Sequence, residues 1–181
     1  MIAWQTYYRP HNFGQLQLTD VRDQMTKLQH DVAFPKVMLF AGPKGTGKTS
    51  TSRIIAALLN TKANAESVQA AYLQSGNTTT TLTPLVDPDM TDPEIVNILG
   101  GNSYAVVELD AASHRGIDDV RALQEQVYLP PTLSPVLVYI LDEVHMFTPE
   151  AFNALLKILE EPPAHAFFIL ATTERDRKSV V

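Results

Sequence analysis

Gly42-Pro43-Lys44-Gly45-Thr46-Gly47-Lys48-Thr49 reads G-x-x-x-x-G-K-T, the pattern of the Walker A loop that cradles phosphates. Its surroundings fit. The apolar run Val37-Met38-Leu39-Phe40-Ala41 precedes it, long enough for a buried strand. Ser50 to Asn60 follows, with Ile54, Ile55, Leu58 and Leu59 at helical spacing. Strand, glycine loop and helix in that order separate a working phosphate loop from a chance Gly-rich turn. The chemistry needs these residue types. Glycines let successive backbone N–H groups turn inward, and the helix start adds free N–H groups and the positive end of its dipole. In such a loop Lys48 reaches the β- and γ-phosphates, the Thr49 hydroxyl ligates Mg²⁺, and Ser50 lies beside them. ATP and Mg²⁺ are therefore the expected ligands.

Outward from the loop, the pattern repeats. Residues 20–31 read as a helix, with Asp20 placed to cap it and Val21, Met25 and Leu28 on one face. Residues 104–110 and 136–141 read as strands, the second apolar throughout, as in the middle of a parallel sheet. Between them Ile117, Val120, Leu123 and Val127 recur at helical spacing until Leu129-Pro130-Pro131. Thr148-Pro149-Glu150 is a helix start by cap, proline and early acid, and that helix runs to about Glu160. Residues 166–171 give a fourth strand. Strands alternating with helices predict an α/β fold with a parallel sheet covered on both faces. The stretch 61–94 breaks the pattern with a threonine run and an acidic, proline-broken segment, and is expected to be a mobile surface insertion. A short helix is expected at 93–99, opened by Pro93 and closed by Gly100-Gly101.

The bulk properties exclude several classes. The 181 residues suffice for one domain, and the apolar and charged fractions, 45% and 19%, are ordinary for a globular protein. A net charge of −6 gives no global basic field, so any nucleic-acid contact has to be local or come through partners. The absence of cysteine excludes disulfides and thiolate metal sites. There is no signal-peptide pattern at Met1-Ile2-Ala3-Trp4-Gln5 and no apolar run near 18 residues. A cytoplasmic location is expected.

The third strand ends in Asp142-Glu143. Acids at the C-terminal end of a buried parallel strand stand where ligands bind in open α/β sheets. Asp142 can hold Mg²⁺ through water, and Glu143 can polarise the attacking water.

Four segments, GPKGTGKTS, ELDAAS, DEVHMFTPEAFNALLKILEEPP and ILATTE, resemble the bacterial DNA polymerase III gamma/tau subunits, the ATPases of the replication clamp loader. The run from Asp142 to Pro163 is the most specific, and the similarity spans residues 7–49 and 100–174. The resemblance implies an AAA+ P-loop module covering 1–181 that binds ATP in a five-subunit ring. It implies the other clamp-loader subunits, the sliding clamp and primed DNA as partners, with a neighbour's arginine completing each site. In this layout the fourth strand lies between the Walker A and Walker B strands, and Thr173, or its neighbour Thr172, senses the γ-phosphate. Tyr8-Arg9-Pro10 matches the family's nucleotide-pocket element, whereas Leu16-Gln17-Leu18-Thr19 departs from it. The loop after ELDAAS faces the DNA backbone in the family; here His114, Arg115 and Arg121 stand there. The family's four-cysteine zinc positions fall on Thr61, Asp89, Asp92 and Ile95, so no zinc is expected. The chain ends before the family's fifth strand, arginine-finger segment and helical lid, so an incomplete module with Val37–Ala41 as an open apolar edge is expected. Two rival readings stay open: another AAA+ replication or recombination ATPase, and a non-hydrolysing scaffold subunit of the same loader.

Overall fold

A computed structural model describes residues 9–74 and 82–174. Four strands carry it: β1 (Val37–Ala41), β2 (Val106–Asp110), β3 (Leu137–Asp142) and β4 (Ala166–Thr172). All are parallel, in the order β1–β4–β3–β2. β4 thus separates the strand that enters the glycine loop from the strand that ends in Asp142. This is the α/β arrangement expected from the sequence, a parallel sheet with helices on both faces.

The helices are α1 (Thr19–Asp31), α2 (Lys48–Asn60), α3 (Ala65–Val68), α4 (Pro93–Gly100), α5 (Ile117–Val127) and α6 (Pro149–Glu160). Side chains alternate across the pleat and feed two cores. Met38, Val138, Ile140, Phe167 and Ile169 meet α1, α2 and α4 on one face. Tyr139, Leu141, Phe168 and Leu170 meet α5 and α6 on the other. The four apolar residues that mark α2 in the sequence, Ile54, Ile55, Leu58 and Leu59, are fully buried. Each contributes roughly 1.5–3 kcal/mol to stability. On the opposite face the Tyr139 and Phe168 rings stack with centroids 5.0 Å apart.

β1 is the edge strand: it pairs with β4 alone among the described residues, and Leu39 is 60% exposed on it. That is the open apolar edge expected from the sequence.

Several boundaries differ from the sequence reading. β2 begins at Val106, because the Ser103 hydroxyl and carbonyl accept the Ala105 and Val106 N–H groups in a turn and leave Tyr104 outside. β3 begins one residue late, since the Val136 N–H turns to Asn60 Oδ1. Asp20 does not cap α1. The cap position is Leu18, without a side-chain bond, and Asp20 sits in the first turn, where its charge favours the helix dipole. Thr148 caps α6 as expected, accepting the Ala151 N–H at 3.2 Å.

Residues 61–74 and 82–94 are built into the molecule at both ends rather than lying over its surface. After α3 the chain makes a π-helical stretch, Gln69–Leu73. Val68 and Leu85 are buried, and the Tyr72 ring packs edge-on against Phe167 at 5.0 Å. Buried Asn64 bonds Leu58 O and both backbone groups of Val86. The apolar residues between the polar runs supply this anchoring. The threonine run, 78–81, lies outside the described residues.

Helix α4 shows how much one position can matter. Asp92 accepts the Glu94 N–H, Pro93 follows, and Gly101 ends the helix at φ 79°. A Cβ on Gly101 would stand 2.4 Å from Arg53 Nη2. That guanidinium is held by both Glu108 oxygens and by Leu99 O. Gly101→Ala is expected to lower stability by about 1–2 kcal/mol, from the left-handed backbone plus the displaced ion pair. A urea midpoint unchanged from the native chain would contradict this.

Candidate nucleotide site

The glycine loop is tied to the sheet at its start: Gly42 N–H donates to Thr172 O at 3.0 Å, continuing the β1–β4 ladder. Gly45 and Gly47 adopt φ 85° and 89°, the left-handed region in which glycine is nearly free of strain. Gly47 is the cap of α2 and carries no side chain, so no capping side chain occupies the first N–H groups of the helix. Those groups and the positive dipole end are available to an anion. Lys48 Nζ folds back over the loop and donates to Gly42 O at 2.8 Å and Pro43 O at 3.1 Å. Thr46 Oγ1 donates to the same Pro43 O at 2.9 Å. Pro43, Lys44, Gly45 and Thr46 are exposed, while Ser50 is half-buried behind them.

Asp142, the last residue of β3, faces the start of α2. Its Oδ2 accepts from Thr49 Oγ1 at 3.4 Å and its Oδ1 from Glu143 N–H at 3.0 Å. The two residues expected to hold Mg²⁺ are therefore in contact. A hydroxyl and a carboxylate are hard oxygen donors of the kind that ion takes, so the donor set fits it. Among the described residues no group of three or more His, Cys, Asp or Glu converges. The positions aligned with the zinc module carry ordinary contacts. Thr61 donates to Ala57 O, Asp89 accepts from Thr91, Asp92 pairs with Lys62 at 2.7 Å, and Ile95 is buried.

Glu143 turns the chain sharply, at φ 51° and ψ 43°, into a 3₁₀ turn over Val144–Met146. A left-handed non-glycine residue stores strain of about 1–3 kcal/mol, and such positions cluster at functional sites. Its Oε2 accepts from Thr173 Oγ1 at 3.1 Å. The neighbouring Thr172 points away from the site: it is 2% exposed, and its hydroxyl is shared with His145 Nδ1 at 3.0 Å and Glu174 N–H at 3.1 Å. Of the two threonines, Thr173 is thus the one that faces Glu143. The sequence reading gave His145 no role. The signal was present as a histidine two residues beyond Glu143, but only the fold brings it onto β4.

On the other side of the loop, Pro10, Leu16, Gln17, Leu18 and Val21 line a cavity of about 440 Å³ with Gly45 to Gly47 and Ser50. The residues that depart from the family's pocket element are therefore beside the loop and shape a partly apolar recess. Arg9 is not among them. Its Nη1 donates to Leu99 O at 3.3 Å, at the end of α4, and burial plus nearby Arg53 lower its pKa. Tyr8 lies outside the described residues.

The expected DNA-facing residues all stand on one exposed surface and all have partners. His114 meets Asp119 at 3.3 Å, Arg121 meets Asp118 at 3.3 Å, and Arg115 Nε donates to Ala112 O at 2.9 Å. Among the described residues, Arg115 alone of the three has no carboxylate partner.

The family model described as DNA polymerase III, delta subunit, matches residues 18–178. The tau subunit of DNA polymerase III from Bacillus subtilis is 39% identical over 171 residues, which cover 92% of this chain and 26% of that protein. A gamma/tau subunit from Mycobacterium bovis is 44% identical over 139 residues, covering 77% and 21%. The Escherichia coli tau subunit is 34% identical over 176 residues, covering 96% and 24%. The chain thus spans about a quarter of the length of these relatives. Among solved structures, a mutant RuvB from Thermotoga maritima superposes with a TM-score of 0.51 at 17% identity, covering 93% of this chain and 43% of that one; this likeness concerns the fold alone.

Proposed function

Because the chain belongs to the DNA polymerase III delta-subunit family, with gamma/tau subunits among its relatives, we propose that it is the ATP-binding and ATP-hydrolysing module of a clamp-loader subunit. The observation that carries the reading is the meeting, at the C-terminal ends of β1, β3 and β4, of three elements. These are the Lys48 loop, the Thr49–Asp142 contact and the Thr173–Glu143 contact.

The geometry supports the following roles. Loop N–H groups and the α2 start bind the phosphates, and Lys48 exchanges its two carbonyl partners for β- and γ-phosphate oxygens. Thr49 and Asp142 would hold Mg²⁺, which when bound would offset the charge of the phosphates. Glu143 orients water and takes its proton. Thr173 reports on the γ-phosphate through the hydroxyl that now rests on Glu143. Pro10 and Leu16 to Val21 receive the base. Ring assembly, clamp, primed DNA and a cytoplasmic setting follow from the same reading. No helix among the described residues is long and apolar enough to cross a membrane.

The loop carries two lysines, Lys48 folded over it and Lys44 exposed on it. Arg9, Arg22, Arg53, Arg115 and Arg121 all have their guanidinium groups on other atoms. We assign the second positive charge for the transition state to an arginine of a neighbouring subunit, as the resemblance to clamp-loader ATPases implies. The chain alone should bind ATP weakly and turn it over slowly, and assembly should accelerate turnover by ~10³-fold or more. Full-rate turnover by the isolated monomer would contradict this.

DNA contact is assigned to Arg115. In the assembled complex, Arg115→Ala should flatten the slope of log affinity for primed DNA against log salt by about 1, with ATP affinity unchanged. An unaltered slope would remove Arg115 from the DNA surface.

A further inference from the structure

His145 occupies a position that the roles above do not explain. Its Nδ1 stands 3.0 Å from Thr172 Oγ1 and 3.5 Å from Glu143 Oε2, so one ring nitrogen lies between the acid just after β3 and the end of β4. The ring is secluded, with its side chain 13% exposed. Thr172 is more so, and its Oγ1 already accepts the Glu174 N–H. The circuit closes through the backbone: Thr173, next in the chain, donates to the same Oε2 of Glu143. Glu143 itself has left the strand in a left-handed conformation, and a turn holds its carbonyl through Met146 N–H at 2.8 Å. No regular element fixes its side chain. Its direction is set by the two groups that touch its carboxylate, Thr173 and His145.

We propose that His145 is a positioning residue that locks the Glu143 carboxylate to the end of β4, so that a shift of the Thr172–Thr173 pair is passed to the group that orients the attacking water. The inference rests on Glu143 acting as that group. It goes beyond it in giving β4 two levers on Glu143, one direct through Thr173 and one through the imidazole. A ring that merely filled space would need no nitrogen facing Thr172 and Glu143.

The test separates these roles in the full-length protein reconstituted with its complex. Leucine keeps most of the volume and removes the ring nitrogen, whereas asparagine places an amide nitrogen close to where Nδ1 stands. His145→Leu should lower kcat at least ~10-fold while KM for ATP stays within ~3-fold, and His145→Asn should recover kcat to within ~3-fold of wild type, the scale for residues that orient a reacting group. Thr172→Val, near-isosteric, should match the loss in His145→Leu. The double variant should be no slower than the worse single variant, because both changes cut the same link. If His145→Leu leaves kcat unchanged, or His145→Asn is as slow as His145→Leu, the inference falls. Should His145→Leu fail to fold by its melting curve, Thr172→Val carries the same test. Glu143→Gln run in parallel distinguishes the two levels. Wild-type turnover there overturns the assignment of Glu143 and this inference together. Lost turnover there beside a silent His145→Leu overturns this inference alone.

Discussion

Glu143→Gln in the assembled complex is expected to leave ATP binding within ~3-fold of wild type and to lower the hydrolysis rate by ~10²–10⁴-fold, the range for loss of a positioned general base. Glutamine has the same length and keeps an oxygen that can accept from Thr173 Oγ1, now 3.1 Å from Glu143 Oε2. It can also occupy the turn at φ 51° at similar cost. What it lacks is the basic oxygen proposed to take a proton from water. Binding and chemistry should therefore separate cleanly, and ATP should accumulate uncleaved on the variant. A non-hydrolysing scaffold subunit would show no change, so the substitution also decides between that rival and the enzyme.

The second large effect is on binding. Lys48→Ala should weaken ATP affinity at least ~100-fold, since a charge-assisted bond to phosphate contributes about 1.5–3 kcal/mol and the ammonium is proposed to serve two phosphates. The fold should survive. The Lys48 ammonium is bonded to the carbonyls of buried Gly42 and exposed Pro43, beside a cavity of about 340 Å³ lined by Gly42, Pro43 and Lys48 in which water can take its place. A stability change within about 1 kcal/mol is expected, helped by the helix preference of alanine at the first turn of α2. Retained affinity in a titration with a fluorescent nucleotide would contradict the loop assignment. Lost affinity with a collapsed urea midpoint would say that Lys48 is structural.

Much of this was legible before any coordinates. The β1–loop–α2 unit was readable because its glycines, lysine and buried leucines and isoleucines each obey a local rule. The apolar run ending in Asp142 was readable for the same reason, and Thr148-Pro149 marked its helix to the residue. What local rules could not supply was contact across the sheet. The choice between Thr172 and Thr173 depends on which side of β4 faces Glu143, and that follows from strand order and register. Gln69–Leu73 falls in the stretch expected to be a mobile surface insertion, yet Tyr72 reaches Phe167 on a strand nearly a hundred residues away. Arg9 belongs to a recognisable motif, but its guanidinium is drawn to the carbonyl end of α4. His145 was missed because a histidine near an acid has no fixed meaning until the strand beside it is known.

The most direct test of the account is a crystal structure of the full-length protein with magnesium and a non-hydrolysable ATP analogue. The account predicts the γ-phosphate between Lys48 and Thr173, the metal on Thr49 and through water on Asp142, and the base in the recess of Pro10, Leu16 and Leu18. Triphosphate density away from the Gly42–Thr49 loop, or a metal that touches neither Thr49 nor a water of Asp142, would contradict it.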